Sequence, residues 1–170
     1  MQELLNEAKR LASEGVKELV LVAQETTLYG KDLTGEKQLP LLLHELCKIE
    51  GIEWIRLLYC YPEEITDELI KVIKTEEKVC NYIDMPIQHS ENRILQRMGR
   101  RTSREDLVAV IKKLRKEIPD ITIRTTLITG FPGESQEDHE GLMNFVEECQ
   151  FDRLGVFTYS PEEDTLAATF

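Results

Sequence analysis

Five clusters of hydrogen-bonding side chains recur along the chain, each just past an apolar run. They are Gln24, Glu25, Thr26 and Thr27; Tyr59, Cys60 and Tyr61; Gln88, His89 and Ser90; Thr126 and Thr129 leading into GFPGES; and Thr158, Tyr159 and Ser160. Uncharged groups dominate. Such a set suits orienting a polar small molecule more than acid–base hydrolysis. The sequence holds no His-Glu-x-x-His, no ordered Ser-His-Asp set and no clearly placed acid pair.

Individual members carry more than one reading. Gly130, Pro132 and Gly133 read first as a strand-to-helix turn; they would also let backbone N–H groups approach a ligand at a helix N-terminus. No lysine follows in the pattern of a phosphate-binding loop. His89 is either a satisfied structural histidine or a ligand-facing group. His44 and His139 read as surface or packing residues on helices. Arg124 sits inside an apolar strand, where a guanidinium needs a carboxylate: a structural ion pair, or the carboxylate of a ligand. Arg93, Arg97, Arg100, Arg101 and Arg104 form a basic cluster. It is either a solvated, salt-bridged face or a local contact with RNA or a ribosomal partner. The four cysteines, Cys47, Cys60, Cys80 and Cys149, are too widely spaced for a zinc or cluster motif and read as buried free thiols.

The elements that must position these groups alternate. Leu4, Ala8, Leu11 and Ala12 share a helix face that Gly15 stops. Residues 19–23 form a continuous apolar run, as expected of a strand buried on both faces. Leu42, Leu46 and Ile49 mark a helix after Pro40, and residues 54–61 the next strand. Thr66 caps a helix striped by Ile65, Leu69, Val72 and Ile73. Residues 82–86 read as a short strand. Thr102 with Glu105 suggests a capping box for the helix of Leu107, Ile111, Leu114 and Ile118, closed by Pro119. A strand over 121–129, a helix capped by Ser135 and a strand over 153–159 complete the order. A leading helix, four βα units and a final strand imply an α/β fold with a parallel sheet and right-handed crossovers. About five parallel strands with flanking helices suggest a partial (βα), TIM-like barrel; a flavodoxin-like open sheet is the alternative. Both place ligands at the carboxyl ends of the strands, where the polar clusters fall.

Composition narrows the function classes. At 170 residues the chain suits a single domain, with 41% hydrophobic and 31% charged residues, neither disordered nor membrane-embedded. Its net charge of −11 argues against a whole-surface grip on nucleic acid. With no apolar stretch near the ~20 residues of a membrane helix and no signal-peptide core, a soluble, cytoplasmic protein with no membrane partner is expected.

LVAQETTLYGKDLTG, WIRLLYCYPEEITDELI, YIDMPIQHSENRILQRMGRR, IRTTLITGFPGESQED and FDRLGVFTYSPEEDT together resemble the radical S-adenosylmethionine (SAM) methylthiotransferases. The likeness runs over essentially the whole chain. It is nearest to the RimO branch, on AQETTLYG, LLYCYP and FDRLGVFTYSPEE. The resemblance implies an enzyme that uses SAM and two 4Fe-4S clusters to methylthiolate the β-carbon of an aspartate in small-subunit ribosomal protein twelve. The transfer RNA branch (MiaB type) and a non-catalytic ribosome- or RNA-binding module are the alternatives. For the sites, it implies Gln24 near the methionyl amine, with Thr26 beside it as a cofactor-binding candidate. Gln88 and His89 would serve the ribose or carboxylate, and Arg124 the methionyl carboxylate. Residues 126–130, with Thr126, Ile128 and Gly130, would lie along the adenine, and Phe157 and Thr158 near it. The family's cluster motif CxxxCxxC belongs on a loop before the first helix and is not in these residues; nor are the family's N-terminal methylthiotransferase domain and C-terminal TRAM domain. The expectation is most of a radical SAM core barrel lacking its first strand and cluster loop. It would hold no catalytic residue or metal ligand, bind no cluster and be inactive alone.

Overall fold

A computed structural model describes residues 1–170. The chain opens with α1 (Gln2–Ser13), ended by Gly15 at φ +92°. It continues through β1 (Glu18–Leu21), the short α2 (Lys31–Thr34), α3 (Leu39–Cys47), β2 (Trp54–Leu57) and α4 (Asp67–Thr75). Then come β3 (Tyr82–Asp84), α5 (Asn92–Arg97), α6 (Arg104–Glu117), β4 (Thr122–Thr129), α7 (Gln136–Cys149) and β5 (Arg153–Thr158).

All strand pairs are parallel. β1 pairs with β2, and β3 with β4 and β4 with β5. The two ladders meet between β2 and β3, where Ile55 bridges Val79 and the Cys60 N–H donates to the Asp84 carbonyl at 2.9 Å. Spatial order therefore follows chain order. A flavodoxin-like sheet would place its first two strands out of sequence. Sequential winding excludes it and leaves the partial barrel.

Side chains alternate across this curved sheet. Leu19, Ile55, Leu57, Ile83, Ile123 and Leu127 face the helices and join one core with Leu42, Leu46, Leu107, Leu114, Leu142 and Phe145. The other face carries Glu18, Val20, Arg56, Asp84, Arg124 and Thr126 toward an open interior. The expectation that residues 19–23 are buried on both faces is corrected here. Val20 is 46% and Val22 59% exposed, because β1 pairs on one edge only and its inner face meets no second layer.

Two further differences have local causes. The capping box of α6 is Ser103 with Asp106, not Thr102 with Glu105. Ser103 adopts the extended conformation that aims its hydroxyl at the Asp106 N–H, and the Asp106 carboxylate reaches back to the Ser103 N–H at 3.0 Å. β2 stops at Leu57 rather than residue 61, because Tyr59 turns to φ +55°. The 3₁₀ turns Thr26–Leu28, Pro62–Glu64 and Leu166–Thr169 lack hydrophobic periodicity, as do α2 and α5, so the sequence pattern carries no signal for them.

Candidate functional site

The strand ends surround two adjoining cavities. Gln24, Tyr59, Pro86 and Gln88 line one of about 620 Å³, with Tyr61 and Arg100. Tyr61, Gln88 and Arg100 also line the second, of about 760 Å³, together with Ile128, Phe131 and Phe170. Two rim residues have left-handed backbone, Tyr59 at φ +55° and Gln88 at φ +71°. Non-glycine residues hold that conformation only where the surroundings over-determine it, and such positions cluster at functional sites. For Gln88 the constraint is visible. Its N–H donates to the Thr126 carbonyl at 2.9 Å, and its carbonyl accepts from the Ile128 N–H at 2.8 Å.

A charged layer lies on the inner face below. Arg124 donates to Asp84 at 2.8 Å, and the other Asp84 oxygen accepts from the Tyr59 N–H at 3.1 Å. Asp84 is buried, whereas the Arg124 side chain is 42% exposed. Of the two readings of Arg124, the ion pair is present, and a ligand carboxylate is not thereby displaced. A guanidinium has five donors, so the pair leaves others for the interior. Beside it, Arg56 donates to Glu18 at 2.6 Å and lies over the Tyr82 ring.

Glu25 folds back under the rim and accepts from the Thr27 N–H at 2.9 Å and the Tyr61 N–H at 3.1 Å. Burial nevertheless pushes its carboxyl up to about 7, helped by the nearby charges of Glu63 and Glu64. Desolvation outweighs two favourable backbone contacts.

The remaining candidates are dispersed. Thr26 is buried between strands; its hydroxyl accepts from the Ala23 N–H at 3.1 Å and donates to the Leu58 carbonyl at 2.6 Å. His89 is fully buried beneath the GFPGES turn and lines neither cavity. Its Nδ1 accepts from the Glu91 N–H at 3.0 Å, which assigns the ring proton to Nε2. Nε2 faces Glu134 at 3.7 Å, beyond hydrogen-bond reach. Glu134 in turn accepts from the Phe131 N–H and meets His139 Nδ1 at 3.0 Å. Burial pulls His89 below its ordinary range, against the pull of Glu134. Gly130 lies exposed in the turn at φ +72°. Phe157, 63% exposed, and Thr158 lie on the edge strand β5. Gln24, Gln88 and Ile128 therefore meet at the cavities, with Arg124 and Thr126 on the same inner face. The wall residues Tyr61 and Arg100 stand 39 positions apart in sequence, a distance at which spacing carries no signal.

The cavities suit a polar small molecule, and the thiols do not suit an iron–sulfur cluster. The smaller cavity offers the uncharged groups of Gln24, Tyr59, Tyr61 and Gln88 beside Arg100, and the larger adds Arg97 and Arg101. The cysteines sit on separate elements, and burial raises all four thiols, Cys47 and Cys149 to about 11. A cluster needs thiolates converging on one point, and no group of three His, Cys, Asp or Glu residues is arranged to hold a metal. No helix is long and apolar enough to cross a membrane.

Comparison with known proteins agrees with this geometry. The chain is 66% identical over 168 residues to the ribosomal protein uS12 methylthiotransferase RimO of Lachnoclostridium phytofermentans, covering 99% of the chain and 38% of that protein. It is 57% identical to the RimO of Alkaliphilus oremlandii over the same shares. The chain thus spans well under half the length of these curated relatives. Among solved structures, coproporphyrinogen III oxidase (HemN) of Escherichia coli, a radical SAM enzyme, superposes with a TM-score of 0.72 at 20% identity, over 98% of this chain and 39% of that one. The radical SAM methyltransferase TsrM of Kitasatospora setae gives 0.71 at 16% identity, over 92% and 30%. These two likenesses concern the fold. The radical SAM superfamily model matches residues 1–146, and with the parallel half-barrel and its strand-end cavities this places the chain in the radical SAM superfamily.

Proposed function

We propose that the chain is the SAM-binding core of a methylthiotransferase that modifies the β-carbon of an aspartate in ribosomal protein uS12. The observation that carries this reading is 66% identity to a RimO protein over 99% of the chain. The strand-end cavities supply a place for the cofactor. Residues 1–170 are, on this reading, most of one barrel domain.

Gln24 and Gln88, which line the same cavity, would hold the methionyl end of SAM, with Arg124 offering its free N–H groups to the carboxylate. Ile128, Phe131 and Thr126 would bear on the adenine side. When bound, SAM supplies the radical that takes a hydrogen from the substrate carbon. The chain's own part is to orient it and to shed water from its apolar side. The ligands of the 4Fe-4S clusters belong, in this proposal, to the remainder of the longer protein, so residues 1–170 alone turn nothing over. The ribosomal-protein name of the relatives favours a peptide over transfer RNA as substrate.

The test uses the full-length protein, reconstituted anaerobically, with SAM and purified uS12. Mass spectrometry should find one methylthio group on an aspartate. Modification of transfer RNA instead would overturn the reading. Arg124→Ala should weaken SAM binding at least tenfold; unchanged SAM affinity removes Arg124 from the cofactor site.

A further inference from the structure

Six of the ten arginines pair with a carboxylate: Arg10, Arg56, Arg93, Arg104, Arg115 and Arg124. Arg153, on the edge strand, and Arg97, Arg100 and Arg101 do not, although acids outnumber lysine and arginine 32 to 21. Arg97, Arg100 and Arg101 all line the larger strand-end cavity. The basic cluster thus divides in two. Arg93 and Arg104 are held by Asp138 and Glu91 in salt bridges, while the middle three open toward the cavity.

The surroundings of Arg100 and Arg97 fix them without neutralising them. Arg100 donates to the Pro86 carbonyl at 3.0 Å and lies 4.8 Å from the Tyr61 ring centre. Arg97 donates to the Pro132 carbonyl at 3.0 Å and lies 4.4 Å from the Phe170 ring centre. A carbonyl and an aromatic face pre-set a guanidinium's plane and leave its charge unspent. Across the cavity, Glu64 is taken up by Lys37 at 2.6 Å, so Glu63 is the only acid of that wall without a partner. The mouth is locally positive in a chain of net charge −11.

We propose that Arg97, Arg100 and Arg101 form a carboxylate-binding mouth that receives the acidic side chain of the peptide substrate at the strand-end cavity. The proposal rests on the peptide-substrate reading above. It deepens that reading by naming what recognises the side chain. Two oriented guanidinia with an exposed neighbour suit a single carboxylate, which arginine grips through two parallel N–H bonds. A polyanion fits less well. It would meet Glu63 across the cavity and the chain's net negative field beyond it. The site therefore selects for a lone acid in a peptide over RNA.

The test is binding by the full-length protein, measured by fluorescence anisotropy. The probes are a labelled uS12 peptide spanning the modified aspartate and its twin with asparagine there. Wild type should bind the aspartate peptide at least tenfold more tightly. The double variant Arg97→Gln/Arg101→Gln, at residues that do not line the smaller cavity of Gln24 and Gln88, should bring the two peptides within twofold and leave SAM affinity unchanged. Arg93→Gln, already neutralised by Asp138, should behave as wild type. If the double variant misfolds, Arg101→Gln alone serves, since that side chain is exposed and makes no hydrogen bond or salt bridge in the structure. The proposal is overturned if wild type does not distinguish the peptides or if the variant keeps the preference. Loss of SAM affinity instead, or displacement of the peptide by single-stranded RNA with a steep salt dependence, also overturns it. Methylthiolation of uS12 by wild type is scored separately. Transfer with no charge preference defeats this inference alone, and absence of transfer defeats the functional reading.

Discussion

Gln88 holds a conformation that its own side chain disfavours, at φ +71°, where β3 gives way to the cavity. Strain of this kind costs on the order of 1 kcal/mol or more, and glycine would not bear it. Gln88→Gly should therefore raise the midpoint of thermal unfolding, by up to about 1 kcal/mol of stability, while weakening SAM binding through loss of the amide. Reduced stability in the variant would mean that the side chain packs rather than waits for a ligand. Glu25 and His89 work against each other in pH. Glu25 titrates near 7 when folded against an ordinary 4.5, so its stabilising share is complete below pH 4.5 and is lost as pH rises through 7. His89, faced by Glu134, Glu91 and Asp138, has a folded value below its ordinary 6.5, so stability falls as pH drops below 6.5. In urea melts, Glu25→Gln should abolish the decline between pH 4.5 and 7 and retain the acid-side fall. A variant that keeps the decline would show that another group causes it.

The helices are positioned by caps that sequence reading located to within a residue. Thr102 and Ser103 both stand three residues before an acid, Glu105 and Asp106, so the motif alone fits either register. Backbone conformation decides it, and the structure uses Ser103. Ser103→Ala should cost about 1 kcal/mol, the ordinary value of an N-cap, seen as a lower urea midpoint. Thr102→Ala should leave the cap intact, and an equal loss of helix in both variants would put the box in doubt. At Ser135 no competing hydroxyl precedes the motif, and the cap falls where the sequence places it. The same contrast explains what else was legible. The five strands and the long helices carry apolar periodicity and were readable, as was the gathering of polar groups at the strand ends. The walls of the cavities were not, because Tyr61 meets Arg100 only after the chain has wound through β3 and α5. Nor was the burial of His89, whose neighbours Glu91 and Glu134 precede two different helices, α5 and α7. Local rules locate elements; contacts between distant positions locate the sites.

At the scale of the molecule, the sheet is an arc with two free edges. β1 pairs only with β2, and β5 only with β4. Each end strand shows apolar side chains to solvent, Val20 in β1 with Val22 just past it, and Val156 and Phe157 in β5. An apolar groove of about 370 Å³ between α1 and α3 runs along β1, lined by Leu4, Leu11, Leu19 and Leu42. Unpaired parallel edges with apolar flanks template further pairing. The two edges differ, so the β1 edge of one copy would meet the β5 edge of another. That contact is head-to-tail, and unless the rotation closes a ring it adds copies without end. Residues 1–170 in isolation should therefore grow in mean size with concentration and not stop at a dimer, as sedimentation velocity would record. Val22→Lys together with Phe157→Lys should suppress the growth, since lysine on an edge opposes pairing. A dimer that saturates would point to a symmetric contact through one edge. A stable monomer across the series would mean that the free edges are blunted without the rest of the protein.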